Sequence, residues 1–469
     1  MTAPQPRSEF LAGQVDDVRS VFALVSSGIF DSYVTYQRPG ARWFGGNVRA
    51  EVVVDRRRVT WTANGVTATE RLGPRPLRQL GDVLGTLLAA GERAYGYVAF
   101  EVGHLLHRTG RLAADGPPLV HLVVPEVEVH WDERGTTVSG ASRRLLDHVT
   151  DLLRTPREVG ALELAPVDLA PEHARGPFES AVADVVAAIR RGHLRKAIIS
   201  RRLPVPFPVD LPRTYVLGLS ANTPARSFLL DLGGRRVTGF SPETVAEVSG
   251  GTVLTQPLAG TRPMRGGPDD ERLREELRWD VKECYEHVIS TRLACEELRS
   301  VCDPDTVAVR DLMTVKRRGT VQHLGSVVTG CLGQGQDAWE AVAALFPAVT
   351  ASGIPKRRAL EVIVDHEQDE REIYAGVVCM VDGAGGFDGA LVLRSIFQDE
   401  RGTWLRAGAG IVESSEPSRE FDETTSKLRS AAAGLVRAPA AGAGQEVEGD
   451  AGRIGVRSGS GRSANDGDG

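Results

Sequence analysis

The stretch RAGAGIVESSEPSREFDETTSK, Arg406 to Lys427, decides the reading of this chain. Gly408 and Gly410 alternate with small residues, an arrangement that lets backbone N–H groups come close to a bound anion. The run that follows reads as a helix. Its Glu420 and Glu423 stand three residues apart, so both carboxylates project from one face. Lys427 continues the same stripe. A second pair with that spacing, Glu283 and Glu286, lies upstream in another helical pattern, RWDVKECYEHVISTR. Either pair alone reads best as a solvated helix face. Two such helices facing each other would present four carboxylates and no soft ligands, the donor set that suits magnesium.

At 469 residues the chain could hold about three average domains, or one large two-layer domain with insertions. Its 41% hydrophobic and 25% charged residues are ordinary for a soluble globular protein. Net charge is −6 and no basic block is present, so nucleic acid and anionic membrane are poor partners. MTAPQPRSEF lacks the charged-then-apolar pattern of a signal peptide, and no run of ~18 apolar residues exists to span a membrane. The five cysteines form no CxxC pair and are odd in number, which suggests neither a disulfide framework nor a zinc site. A reduced, cytoplasmic protein is expected.

Residues 1–15 read as a flexible N-terminus and residues 16–170 as a β-rich segment. There, short β-type runs (ALVSSGIF, YVTYQ, VRAEVVV, VTWTANG, GYVAF, LVHLVVPEVEVHW) alternate with turns, while LRQLGDVLGTLLAAG and SRRLLDHVTDLLRT read as helices. No chemical motif occurs in this portion, which is expected to supply sheet and packing. PREVGALELAPVDLAPEHARG reads as a connector. In PFESAVADVVAAIRRGHLRKA, Val182, Val185, Val186 and Ile189 fall at helical spacing, Gly192 stops the helix, and Lys196 sits where helix passes into the strand AIIS, a position for pointing into a cleft. Two hairpins with Gly-Gly turns follow as an expected antiparallel meander, with Ser241-Pro242-Glu243 between them holding a carboxylate at the sheet's end. A strand is expected around Val321–Val328, then a second meander from IYAGVVCMV to TWLRAGAGIV. Residues 438–469 are Ala/Gly/Ser/Asp-rich and read as a disordered tail.

RKAIISR, GFSPE, QPLAGTRPMRGG, DVKECYEHV, VQHLGS, FPAVTASGIPK, YAGVV, LVLRS and the opening stretch together resemble the chorismate-utilising enzymes, a family that includes anthranilate, aminodeoxychorismate, isochorismate and salicylate synthases. These blocks cover roughly residues 175–436, inside an expected catalytic region of 171–437. The resemblance implies an α/β (α+β) fold, a single large two-layer domain with antiparallel sheets facing each other and helices outside. It implies Mg²⁺ held by Glu283, Glu286, Glu420 and Glu423, gripping the ring carboxylate of chorismate. Chorismate is a dianion, so a cation at one carboxylate and fixed donors at the other suit it physically. By position, Tyr374 and Arg394 match residues that hold the enolpyruvyl carboxylate, helped by backbone N–H groups around Gly408 and Gly410. The planar fork of Arg394 pairs with a carboxylate in two places. Gly260, Thr261, Thr350 and Lys427 fall where the family contacts substrate.

Members that add ammonia typically carry glutamine at the position of Lys196, and members that add water carry lysine. A neutral lysine can take a proton from water, provided neighbours or burial lower its pKa. Ala259 stands where aminodeoxychorismate synthases carry a nucleophilic lysine, so PLAGT excludes that chemistry. Glu243 matches the acid that protonates the departing C4 hydroxyl. TVKRRGTVQHLGS and LFPAVTASGIPK resemble the salicylate synthases, which also eliminate pyruvate from isochorismate. His323 lies in the pocket by resemblance, with a positioning or electrostatic role. The expected function is therefore a salicylate synthase serving siderophore-type metabolism, a monomer without a glutaminase subunit. The rival readings are an isochorismate synthase that releases its product, an aminating subunit and a non-catalytic chorismate-binding subunit.

Overall fold

The strand Arg226–Leu232, RSFLLDL, shows how apolar residues build the interior. Phe228, Leu230 and Leu232 belong to one apolar cluster and Leu229 to another, because successive side chains on a strand point to opposite faces. The first cluster takes residues from two large sheets and is the core between them: Val34, Tyr36 and Phe228 come from one sheet, Val52, Tyr95 and Val378 from the other. The second cluster lies where the helices Asp17–Val25, Arg143–Arg154 and Leu211–Ala221 cover the outer face of the first sheet. These are the coordinates of a computed structural model, which describes residues 7–11, 17–155, 158–160, 162–264, 266–319 and 321–439.

The described residues form an 11-stranded and a 12-stranded sheet, and the strand pairs recorded within both are antiparallel. The expected two-layer α/β architecture is observed. Each sheet joins strands from the first 140 residues to strands from the remainder at a single seam. In one sheet the seam is Tyr33–Arg38 against Arg226–Leu232, and in the other it is Arg93–Val98 against Val377–Asp382. The N-terminal portion thus extends both layers sideways.

The expected meanders are instead crossings between layers. The strand Arg235–Ser241 lies in the first sheet and Thr244–Ser249 in the second, so Ser241-Pro242-Glu243 is the step from one to the other. Likewise Phe387–Leu391 lies in the second sheet and Ser395–Asp399 in the first, with the crossing at residues 392–394. Arg394 therefore sits on a crossing with φ +52, not on an apolar strand. Hairpin signals fix which strands turn back on each other, but they carry no information on which layer receives the next hairpin.

Other expectations are corrected locally. Arg7–Leu11 is a strand paired with Gly135–Gly140, where a loose N-terminus was expected. ALVSSGIF is not a strand: Asp17–Val25 is helical, and its apolar residues pack under the second cluster. The helix after the connector begins at Glu172 and keeps Pro177 inside its exposed first turns, where the bond lost to proline leaves a carbonyl that water can reach. Ala308–Arg318 forms a strand beside Val321–Cys331. Gly408 and Gly410 lie within the strand Gly402–Ile411. The tail beyond residue 439 lies outside the described residues. No helix among the described residues is long and apolar enough to cross a membrane.

Candidate active site

Both crossings open onto one cavity of about 870 Å³, part of it continuous with solvent. Its wall includes Glu243 from the first crossing and Arg394 from the second. Gly260, Thr261, Glu283, Glu286, His323, Thr350, Tyr374, Gly408, Gly410, Glu423 and Lys427 complete the predicted residues brought together there. A second hollow of about 830 Å³ adjoins it, sharing Thr261, Glu283, Arg394, Glu423 and Lys427 and adding Glu420 and Lys282. Of the predicted residues, Lys196 alone lines neither hollow.

Lys196 is the first residue of the strand Lys196–Val205 and is fully buried. Its Nζ is 2.9 Å from Glu286 Oε1 and donates to Ser290 Oγ at 3.1 Å, so it meets the cavity from behind Glu286. Lys196 is also close enough to Glu243 for its charge to favour the carboxylate there. Ser290 is four residues beyond Glu286 on the same helix stripe, a neighbour that helical spacing could have identified.

Glu243 is buried, which pushes its carboxyl up to about 8 against the opposing influence of Thr350 and Lys196. Thr350 Oγ1 donates to Glu243 Oε1 at 2.5 Å. Near neutrality this carboxyl is held largely protonated, as a proton donor must be.

On the second crossing, the partly buried guanidinium of Arg394 has no carboxylate partner among the described residues. Burial and the nearby Arg318 charge push it down to about 10. His323 adjoins it: Nδ1 is 2.8 Å from the Gly260 carbonyl oxygen, which only an N–H can satisfy, leaving Nε2 as an acceptor facing Arg394 Nη2. Burial and the Arg394 charge hold His323 well below its ordinary range, so it is neutral. The Tyr374 ring is buried between Arg371 and Arg406, whose Cζ atoms lie 5.9 and 5.7 Å from its centre. Glu367 holds both arginines, and Arg406 also donates to Ser200 Oγ at 2.9 Å.

The acidic residues arrive on two helices. Asp280 caps Val281–Arg299 by accepting from Glu283 N at 3.1 Å, which fixes the first turn and turns Glu283 and Glu286 inward. Pro417 opens Pro417–Ala432, whose buried face carries Glu420, Phe421, Thr424 and Leu428. No three His, Cys, Asp or Glu among the described residues meet as a metal-holding group. Lysines stand against the carboxylates instead. Lys282 Nζ is 2.8 Å from Glu420 Oε1 and 3.9 Å from Glu423 Oε2, and Lys427 Nζ is 2.7 Å from Glu423 Oε1. Arg262 lies 3.8 Å from Glu283. Sequence reasoning overlooked Lys282 and Arg262, although Lys282 adjoins Glu283 in the capped turn.

The donor set fits a hard divalent ion. It is all oxygen, and Glu420 Oε2 is buried without a hydrogen-bond partner. Burial and the charges of Glu286 and Glu423 push Glu283 up to about 7, the state of a carboxyl short of positive charge. Burial also raises Glu420, with Glu423 adding to it. For Glu423 burial works the same way, but Lys427 and Lys282 outweigh it and hold the carboxyl below its ordinary range.

The glycines are explained by close approach rather than by a loop. A Cβ on Gly410 would stand 2.4 Å from Glu286 Oε1, and one on Gly260 would stand 2.9 Å from Glu283 Oε2. Gly260 also has φ +65. The Gly408 carbonyl accepts from Lys427 Nζ at 2.9 Å.

Known proteins resemble this chain in sequence and in fold. A family model described as chorismate binding enzyme matches residues 33–433. The salicylate synthase of Mycolicibacterium paratuberculosis is 40% identical over 408 residues, covering 87% of this chain and 90% of that protein. Anthranilate synthase component 1 of Streptomyces coelicolor is 42% identical over 270 residues, covering 56% of this chain and 52% of that one. Among solved structures, anthranilate synthase component I from Streptococcus pneumoniae superposes with a TM-score of 0.70 at 26% identity, over 84% of this chain and 93% of that chain. The menaquinone-specific isochorismate synthase of Escherichia coli shares the fold with a TM-score of 0.70 at 20% identity, over 92% of this chain and 95% of that chain. With the family's pattern running through nearly all of both sheets, the chain belongs to the chorismate binding enzyme family.

Proposed function

We propose that this enzyme is a salicylate synthase, which adds water to C2 of chorismate with loss of the C4 hydroxyl and then releases pyruvate. The observation that carries the reading is that Glu243 and Arg394 stand in the wall of one cavity: a carboxyl pushed up to about 8, and a guanidinium with no carboxylate partner among the described residues. The first can give a proton at neutral pH, and the second needs an anion.

In this proposal Arg394 and Tyr374 hold the enolpyruvyl carboxylate, and His323 keeps the Arg394 fork in place as a neutral acceptor. Gly260, Thr261, Gly408, Gly410 and Lys427 shape the substrate's surroundings. Lys196 takes a proton from the water that attacks C2. The ring double bonds shift, and Glu243 gives its proton to the departing C4 oxygen, which leaves as water. Glu283, Glu286, Glu420 and Glu423 would hold Mg²⁺, which when bound supplies positive charge for the ring carboxylate. Pyruvate is then lost as the C2 hydrogen passes to the enolpyruvyl methylene and the ring C–O bond breaks. That step asks the cavity mainly to hold a reactive conformer. Ala259 in the cavity wall offers no amine for covalent chemistry.

The likeness to a salicylate synthase over 90% of its length favours the two-step reaction. The runner-up, an isochorismate synthase that releases its product, is favoured by a shared fold alone. Incubation with chorismate and Mg²⁺, followed by salicylate fluorescence and chromatography of isochorismate, separates them. Salicylate and pyruvate in equal amounts are expected. Isochorismate as the sole product would establish the runner-up, and anthranilate formed only with added ammonium would overturn both. A monomer acting without a glutaminase subunit is part of the same reading.

A further inference from the structure

At the outer end of the 12-stranded sheet, far in sequence from the catalytic blocks, Arg56, Arg57, Arg58 and Arg71 line an open groove of about 1290 Å³. The hairpin formed by Arg58–Ala63 and Val66–Arg71 ends the sheet, and its register sets Arg58 directly opposite Arg71. Like charges placed directly across a strand pair are destabilising. Arg57, Arg58 and Arg71 have no carboxylate partner in ion-pair contact among the described residues.

Two acids lie close by, and Glu70 lines the groove itself. Asp55 Oδ1 accepts from the backbone N–H groups of Arg57 and Arg58 at 2.6 and 2.8 Å. Glu70 Oε2 accepts from Gln79 Nε2 at 3.1 Å. Arg56 also lines the groove. Its side chain is only 6% exposed, one Nη is 2.7 Å from Glu370 Oε2, and the other donates to the Pro117 carbonyl. Its Nε is buried with no hydrogen-bond partner. A buried donor without an acceptor, in a groove that two arginines from opposed register positions also line, marks a place short of negative charge.

We infer that this groove binds a small phosphate-bearing anion, held by Arg58 and Arg71 from the two strands and by Arg57 at the rim. Guanidinium forks match phosphate oxygens bidentately, and several unpaired positive charges call for a multiply charged ligand rather than a single carboxylate.

Pyrophosphate titrated into the full-length enzyme by calorimetry tests this. Saturable binding at one per chain is expected, weakened about tenfold or more in Arg58→Gln/Arg71→Gln. That variant leaves the chorismate cavity untouched, so its turnover of chorismate should be unchanged. Without pyrophosphate its melting temperature should rise, because the opposed charges are gone. With pyrophosphate only the unsubstituted enzyme should gain further. No saturable heat, equal affinity in the double variant, or equal affinity for citrate would each overturn the assignment.

Discussion

Thr350 donates to Glu243 from 2.5 Å, and this bond opposes the burial that keeps the Glu243 proton in place. Burial is the larger influence, and the carboxyl rests at about 8. If Glu243 is the acid, kcat/KM for chorismate should fall as pH rises through that value. Thr350→Val removes a bond that favours the carboxylate, so the falling limb should move to higher pH. A pH profile with its limb unmoved in Thr350→Val would take Glu243 out of that role.

The same group links pH to stability. Its folded-state pKa is raised from an ordinary 4.5, so the stability it confers is complete below about 4.5 and is lost as pH rises through about 8. Glu243→Gln cannot ionise. It should melt higher relative to the parent at pH 9 than at pH 6, by about 2 °C or more. Melting curves at the two pH values decide it.

Lys196→Gln should abolish hydration of chorismate, with a loss of about 100-fold or more, while binding stays within a few-fold. Product analysis paired with calorimetry separates the two effects. Unchanged turnover would exclude Lys196 as the base.

Arg394→Gln should weaken chorismate binding about tenfold or more, and Arg394→Lys should not restore it, since a point charge lacks the fork. Arg394 is in contact with His323 Nε2 but with no carboxylate, so any drop in melting temperature without substrate should be no more than the loss of that one hydrogen bond. An equal loss of affinity in a distant surface arginine variant would deny Arg394 its place.

Two substitutions probe the acidic end. Glu423→Gln should raise the Mg²⁺ concentration needed for activity severely, and parent-level activity in a chelator would contradict the metal assignment. Gly410→Ala places a methyl 2.4 Å from Glu286 Oε1, so that carboxylate must move. The expected result is a folded protein, by circular dichroism, with activity reduced about tenfold or more.

The two-layer architecture was legible, and so were the residues that gather at the cavity, but the path between the layers was not. Helical spacing puts Glu283 with Glu286 and Glu420 with Glu423 on shared faces, and the Asp280 cap and Pro417 explain why those turns form where they do. Glu243 was recognisable as a turn carboxylate, but a turn signal says nothing of the layer that follows it. The crossing that gives Glu243 its position was therefore hidden, as was the one at Arg394. ALVSSGIF was misread because a short apolar run suits a buried helix as well as a strand. Lys196 was expected to point into a cleft; its capture by Glu286 depends on a contact between residues 90 positions apart, which no local pattern contains.

The seams at Tyr33–Arg38 and Arg93–Val98 have a practical consequence. Trimming the motif-free N-terminal portion would leave two raw sheet margins side by side, each ready to recruit strands from another molecule. The catalytic half is thus not a detachable module, and a shortened version should precipitate rather than work slowly. Residues with no chemistry of their own thus serve to cover the margins of the sheets that line the cavity.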